Sequence, residues 1–522
     1  MKIMNNSLIT AITAALFFFA GCTELLNKPP ENQPLASSTD YTIAADMYKP
    51  VLGLYADWYQ VGWPVAPLVS VLGDDVNPAG DQPPFQATDS YSYDPTYWMY
   101  NSVWSDLYGR VFTAHNAIEQ TLKYKEFATN KALADQYIAE AKVIRAFQLY
   151  HLTKTWGPIF IPAGSDPLQL YSAKVSSQEE VLKHITEEMD ASIPLLPDMH
   201  PNARTDFKGG VTKYTALAIK AMANLMLKNY QGVADATSII ISSGKFSLEP
   251  DLYELFNVKG KLNAENLFEL QSANLFGYNP SLTFYGPQNW FPKVTGAKGG
   301  WGFWEPSLKY VNFMLGRKET VRLETTVIFT PRGIEALGGV DKMPKWIQDK
   351  MTTVTTGSGD NRQILNAYRN KYGDAFVDFP RARFLSGKHY LPSEQLNGTL
   401  NEYGANKNRV LIRYAEILLM HAEALSRGGA GTAITAKEAV NLVRRRAGFN
   451  EDLQSVTADD VMAEKFAELA MEWGIRYADM TRLQKYDELS YDGRTFAAGK
   501  VHLPYPQEQV DKLPILGTTK NN

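Results

Sequence analysis

The sequence lacks most of the features on which disulfide formation, membrane insertion or nucleic-acid binding depend. It contains one cysteine, Cys22, in 522 residues, which excludes an internal disulfide and a cysteine-rich zinc site. No stretch is apolar over the ~20 residues that a membrane-spanning helix needs. The 52 basic and 56 acidic side chains leave a net charge of −4. This balance does not favour nucleic acid as a partner.

Recognisable catalytic motifs are missing as well. The patterns HExxH and GxSxG and the phosphate-binding P-loop do not occur. The seven histidines are scattered, and His151 and His421 lie inside apolar stretches, where packing in the core is the expected role. Asp74, Asp75 and Asp81 could supply oxygen ligands, but the spacing of a calcium-binding EF-hand loop is absent. We therefore predict no catalytic residue, no metal site and no cofactor.

The position of Cys22 indicates a lipid anchor. A short basic segment precedes an uncharged, mostly apolar run over residues 8–20, and the small residues Ala20 and Gly21 stand directly before Cys22, as in a cleaved secretory signal peptide. The sequence FAGC, which ends at Cys22, resembles a bacterial lipobox, in which the cysteine becomes the lipidated first residue of the mature chain. We expect a signal peptide over residues 1–21 and a lipidated, flexible spacer over residues 22–40.

Apolar residues recur at helical spacing toward both ends of the chain. One stripe runs in steps of four and three residues from Tyr100 through Trp104 to Ile118, which places these side chains on one buried helix face. Further helices are predicted over residues 132–155, 212–228, 232–242, 411–425, 436–447 and 459–473, with a capping box at Ser177. Paired helices with many small residues indicate a stack of the tetratricopeptide kind.

The middle of the chain lacks this helical periodicity. A strand is predicted over residues 266–271, and the aromatic-rich residues 274–306 show neither helical nor strand periodicity. Residues 330–405 again look loop-like, with scattered Gly and Pro. We expect a mostly α domain over residues 41–522, made of helical parts at 41–245 and 406–522 and a loop-rich, ligand-binding insertion at 246–405.

Five blocks of sequence resemble, in order, the SusD/RagB family of outer-membrane nutrient-binding lipoproteins. They are AEA to WGP at 139–158, RYAEILL and AEA at 413–424, NLVRRRAG at 441–448, the EL to R pattern at 468–482, and LPYPQE at 503–508. One departure is Thr320-Val321-Arg322, where many relatives carry Asp-Pro-Arg. The resemblance implies a SusD-like fold, in which tetratricopeptide-type helix pairs pack against a loop-rich region with a few short strands.

Charged residues inside these blocks are expected to serve the fold. Arg413, Glu416, Arg476 and Asp479 stand among apolar residues. Ion pairing and capping between packed helices is therefore the expected role, since an isolated buried charge is costly.

The resemblance also implies a function and a place for the ligand. Members capture glycans at the cell surface without catalysis and deliver them to a SusC-like, TonB-dependent transporter in the outer membrane. The binding platform would come from loops before the first long helix and from the central region, here residues 73–98 and 274–304. Aromatic rings there would bury the C–H faces of sugars, and polar groups would bond the hydroxyls. The predicted ligand-binding residues are Asp74, Asp75, Tyr97, Trp98, Tyr285, Trp290, Trp301 and Trp304.

Two alternatives stay open at this point. The same fold could bind a peptide, which calls for a cleft offering backbone hydrogen bonds and for fewer surface tryptophans. A surface glycoside hydrolase is less favoured, although two carboxylates about 5–10 Å apart leave no trace in sequence spacing. The sequence favours a polysaccharide or oligosaccharide as the ligand and leaves its identity open.

Overall fold

The computed structural model describes residues 39–59, 64–272, 302–395 and 407–520. The predicted signal peptide and most of the predicted spacer lie outside these ranges. The helices are α1 Lys49–Trp58, α2 Val65–Ser70, α3 Pro83–Asp89, α4 Trp98–Phe127, α5 Lys131–Trp156, α6 Gln178–Ser192, α7 Lys213–Met226, α8 Tyr230–Ser242, α9 Leu252–Leu255, α10 Leu308–Gly316, α11 Val321–Thr326, α12 Pro331–Ala336, α13 Lys345–Gln348, α14 Tyr414–Ser426, α15 Ala436–Arg446, α16 Ala458–Leu469, α17 Ile475–Arg482, α18 Tyr486–Leu489, α19 Gln507–Lys512 and α20 Ile515–Thr518.

The strands are short. They are β1 Val76–Pro78, β2 Ile159–Phe160, β3 Val175–Ser176, β4 Asn266–Leu270, β5 Trp304–Pro306, β6 Val327–Phe329, β7 Met351–Thr356, β8 Gln363–Arg369, β9 Ala375–Phe376, β10 Phe384–Ser386 and β11 Arg409–Arg413. All the pairings between them are antiparallel: β1 with β5, β2 with β3, β4 with β11, β6 with β10, and β8 with both β7 and β9.

The long helices α4 and α5 form the first pair of the helix stack. Asn130 caps α5 by accepting a hydrogen bond from the backbone N–H of Leu133 at 3.1 Å. Gly157 ends α5 with φ +73°, a conformation that favours glycine. Trp104 in the predicted apolar stripe is 2% exposed, and its ring meets that of Trp156 edge-on at 5.2 Å. The prediction that this stripe forms core is confirmed.

The chain leaves the helix stack after α8 and returns to it at α14. Contacts run in order from α5 to α6, α7 and α8, and α8 then packs against α14, which also contacts α15 and α16. The predicted capping box is present at the start of α6. The His151 ring meets that of Phe147 edge-on at 4.5 Å, and His421 lies 2.8 Å from the Thr237 hydroxyl. Both histidines therefore pack in the core as expected.

Two predicted helix boundaries are wrong, and β-pairing and backbone turns explain why. Leu411, the first member of the stripe at 411–425, belongs to strand β11, which pairs with β4, and α14 starts only at Tyr414. The helix predicted to reach residue 473 ends at Leu469. Beyond it, Met471 and Trp473 have positive φ, which breaks the helix.

The middle region is more regular than its sequence suggests. Residues 351–376, predicted as loop, form the three-stranded sheet β7–β8–β9, with Val354 opposite Leu365 in its hairpin. A second hydrophobic cluster under this region includes Tyr310, Phe329 and Phe384, and Phe466 of α16 packs into it. The insertion therefore has its own hydrophobic core, and this core packs against α16.

Buried ion pairs join the insertion to the C-terminal helices. The guanidinium of Arg413 is 1% exposed and bonds Glu265, Glu468 and Glu472 at 2.9, 2.6 and 2.8 Å. The expected ion pairs are also present for two further residues of the blocks: Arg476 pairs with Asp74 at 2.7 Å and Asp479 pairs with Lys465 at 2.6 Å. Glu416 differs, because it forms no ion pair with a described residue, and burial raises its pKa to about 7.

Within the described ranges, none of the helices combines the length and the apolar character required to cross a membrane.

Candidate functional site

The two segments expected to form one binding platform meet in the structure. Strand β1, from the first segment, pairs with β5, whose first residue ends the second segment, with Pro78 opposite Trp304. The Ser307 hydroxyl also donates to the carbonyl of Asp74 at 2.6 Å. Residues more than 200 positions apart thus become neighbours. The described ends of the two segments therefore lie side by side, and the binding platform itself stays a prediction.

Trp98 is the exposed tryptophan of the described residues. It is the first residue of α4 and is 49% exposed, whereas Trp58, Trp104, Trp156 and Trp304 are all at most 2% exposed. Tyr97, directly before it, is half-buried, and its ring meets that of Tyr100 at 5.9 Å. The Tyr100 hydroxyl lies 2.8 Å from that of Thr88 in α3, and this contact holds the start of α4 against α3.

Polar groups stand next to Trp98 on α4. Asn101 is three residues further along the helix, so the two side chains are neighbours on its surface. The Asn101 amide donates to the Glu508 carboxylate at 2.7 Å and its oxygen accepts from Gln509 at 2.7 Å. Neither Asn101 nor Glu508 was singled out from the sequence. Helical spacing from Trp98 could have suggested Asn101, but no local pattern relates residues 407 positions apart.

Three of the predicted site residues are buried, which contradicts their expected exposure. Trp304 is 1% exposed, because pairing of β5 with β1 turns its ring inward, 4.4 Å from that of His389. Asp74 is fully buried and pairs with Arg476. Asp75 is 2% exposed and accepts a hydrogen bond from the backbone N–H of Met471 at 2.8 Å.

The two aspartates therefore make structural contacts in the protein interior. Burial raises the pKa of Asp75 to about 7, against the opposing effect of the hydrogen bond from Met471. Asp74 also lies 2.6 Å from Lys309, so two cations hold it. Among the described residues, no group of three or more His, Cys, Asp or Glu side chains could hold a metal ion.

The remaining three predicted residues, Tyr285, Trp290 and Trp301, lie outside the described residues, and their role stays a prediction.

A second polar edge adjoins the β1–β5 ribbon. Asp81, just after β1, pairs with Arg381 at 2.9 Å across 300 positions of sequence. Gly80 has φ +90°, and a side chain there would stand 3.3 Å from Arg381. Pairs of planar carboxylate and guanidinium groups at a surface suit the hydroxyl groups of a sugar. The sequence gives no sign of this pair, because only the fold brings its members together.

These features define a class of protein by its fold: stacked helix pairs of the tetratricopeptide type. In this fold, exposed Trp98 and surface polar groups lie close to the loops that precede α4. The SusD family model matches residues 264–514, and a second model, described as "Starch-binding associating with outer membrane", matches residues 82–225. Together the two ranges cover most of the chain. The predicted resemblance to the SusD/RagB family is confirmed.

Relatives of known sequence cover the chain almost completely at low identity. A SusD-like protein of Bacteroides ovatus is 22% identical over 500 residues, which is 92% of this chain and 83% of the relative. A SusD-like protein of Formosa agariphila is 23% identical over 548 residues, covering 99% of this chain and 98% of the relative.

Solved structures share the fold. A laminarin-binding SusD-like protein superposes with a TM-score of 0.71 at 20% identity, covering 90% of this chain and 97% of that one. Surface glycan-binding protein A from Bacteroides thetaiotaomicron, solved in complex with laminarihexaose, gives 0.71 at 21% identity, covering 92% and 99%. These likenesses confirm the mostly α, SusD-like fold that the sequence predicts.

Proposed function

We propose that this protein is a non-catalytic glycan-binding lipoprotein of the cell surface. It binds a polysaccharide or oligosaccharide and delivers it to a SusC-like, TonB-dependent transporter in the outer membrane. Cys22 carries the lipid that holds the chain at that membrane. Binding is centred on Trp98, with Asn101 and Glu508 at its edge and with Tyr285, Trp290 and Trp301 completing the platform.

The observation that carries the proposal is the exposed ring of Trp98 beside an amide and a carboxylate. A sugar presents an apolar C–H face and polar hydroxyl edges. The indole ring covers the face, and Asn101 and Glu508, already linked to each other at 2.7 Å, can bond the edges. Because these polar groups are held by one another, little side-chain entropy is lost when the ligand binds.

The family relationships support the chemical class of the ligand. One structural neighbour is described as laminarin-binding and another was solved with laminarihexaose. The family description that matches residues 82–225 names starch binding and the outer membrane. The lipobox-like sequence FAGC supports the anchor at Cys22.

A panel of polysaccharides, laminarin among them, tests the ligand class. The chain from residue 23 onward is run through native gels containing each polysaccharide, and the dissociation constant for an oligosaccharide of any retarding glycan is then measured by calorimetry. We expect retardation by at least one glycan, loss of binding in Trp98→Ala, and no new reducing ends after long incubation.

Tyr171→Ala is the matched control. Tyr171 is an aromatic residue that is 67% exposed, and its segment is bonded to α4 through Ser165 and Glu119. Glu119 is about 30 Å along the helix from Trp98, at 1.5 Å per residue. Equal binding by wild type and Trp98→Ala, binding of peptides alone, or release of reducing ends by the pure protein would each contradict the proposal.

A further inference from the structure

A groove of about 590 Å³ opens between α9, α11, α13 and the end of α15. Its walls include Tyr253, Trp346, Lys350, Lys371 and Arg446; we call it the lysine groove. All its lining residues belong to the described ranges, and none belongs to the surface around Trp98. Its volume lies within the ~300–1,000 Å³ typical of small-ligand sites.

The same arrangement of aromatic ring, lysine and carboxylate occurs twice in the lysine groove. The Lys371 ammonium lies 4.3 Å from the centroid of the Tyr253 ring and 2.9 Å from Asp251. The Lys350 ammonium lies 5.5 Å from the centroid of Trp346 and pairs with Glu324. Each ring therefore has a positive charge over it, and each lysine is held in place by a carboxylate.

The two lysines are close enough to repel one another. The pKa of Lys350 is lowered by burial and by the positive charge of Lys371. Both side chains remain accessible, at 26% and 42% exposed. A bound anion would relieve this repulsion, since each ammonium has three donors and its carboxylate does not occupy all of them.

Arg446 adds a third cation to the lining of the groove. The Arg446 side chain is 4% exposed and is held by Glu265 at 2.9 Å and by Glu468. Its Nε–H is buried with no partner among the described residues, as is the hydroxyl of Tyr253. Both residues line the groove, so the lining carries the charge of Arg446 in addition to those of Lys350 and Lys371.

We propose that the lysine groove binds an acidic sugar unit, whose carboxylate or sulfate lies between Lys350 and Lys371 while its ring packs against Tyr253 or Trp346. The two lysines favour an acidic sugar over a neutral one, and the aromatic side chains favour a sugar ring over a small inorganic anion. This inference rests on the proposed glycan-binding function and adds a second subsite, built from different elements than the Trp98 surface.

The test uses four probes: a uronate oligosaccharide, a sulfated oligosaccharide, inorganic sulfate and a neutral oligosaccharide bound by the wild type. Calorimetry is run on wild type, Lys350→Gln/Lys371→Gln and the control Lys345→Gln. The control removes one charge from α13, five residues before Lys350, at a lysine whose side chain is 79% exposed and paired with Asp349. We expect at least tenfold weaker binding of an acidic oligosaccharide in the double variant, none of this loss in the control, and weaker wild-type binding as salt rises.

Each other outcome is decisive. Failure of both acidic oligosaccharides to bind, or binding that the double variant leaves unchanged, overturns the inference, and binding of inorganic sulfate alone makes the groove a simple anion site. Neutral-glycan binding that depends on Trp98 but not on the lysines shows whether the proposed function survives such a result. If the double variant does not fold, Lys371→Gln alone replaces it, because that side chain is partly exposed.

Discussion

Replacing Trp98 by alanine should weaken glycan binding about 70-fold, whereas replacing Trp104 should weaken the fold. With Trp98 49% exposed, roughly half of the ~250 Å² of a tryptophan side chain is open to a ligand. Covering ~100 Å² of this area at ~25 cal/mol per Å² contributes ~2.5 kcal/mol, which corresponds to a ~70-fold change in dissociation constant. Trp104 is 2% exposed and packs on Trp156, so its loss should cost ~3–5 kcal/mol of stability.

Two measurements on two variants separate these roles. Calorimetry with a long oligosaccharide gives the dissociation constant, and denaturant titration gives the free energy of unfolding. Trp98→Ala should lose less than about 2 kcal/mol of stability, as is usual for a partly exposed side chain. The reasoning is refuted if Trp98→Ala binds within threefold of wild type, or if it is destabilised as strongly as Trp104→Ala.

Three further predictions follow from the interior and from the N-terminus. Burial raises the pKa of Asp75 to about 7, so wild type loses stability as pH rises from 4 to 8 and this carboxyl ionises in the folded protein. Asp75→Asn lacks the ionising group. Its free energy of unfolding should therefore rise relative to that of wild type by up to ~4 kcal/mol over this pH range, as measured by denaturant titration. Arg413→Met leaves the buried carboxylates of Glu265 and Glu468 and the partly exposed one of Glu472 without their shared cation. It should lower the free energy of unfolding by ~3–5 kcal/mol, and a loss below ~1 kcal/mol would contradict this. Cys22→Ala should move the folded protein from the membrane to the soluble fraction of cells, and retention in the membrane would count against the anchor.

Local patterns predicted the helix stack well because each long helix carries its own signal. The stripe from Tyr100 to Ile118 and the capping box at Ser177 depend on residues a few positions apart, which interact in any context. The wrong boundary at Leu411 has a different cause. Its apolar spacing fits a helix, but pairing of β11 with β4 holds the backbone extended, and the partner strand is about 140 positions away.

The candidate site was harder to predict, since the exposure of a side chain depends on which distant parts of the chain the fold packs against it. Trp98 and Trp304 looked alike in the sequence, as aromatics at the edge of loops. The structure leaves Trp98 half-exposed at the start of α4 and buries Trp304 through the β1–β5 pairing. Asp74 and Asp75 follow the same rule: Arg476 and the backbone of Met471 reach them from some 400 positions away.

Arg446 shows how the buried charges of the fold also position a surface site. It belongs to the block NLVRRRAG, whose expected role was helix packing, and its terminal nitrogens are engaged by Glu265 and Glu468. The Arg413 guanidinium bonds the same two carboxylates, so the network that joins the insertion to the returning helices also fixes the Arg446 side chain. Arg446 in turn lines the lysine groove. A charge held this way is in position before any ligand arrives, and preorganisation of that kind strengthens binding.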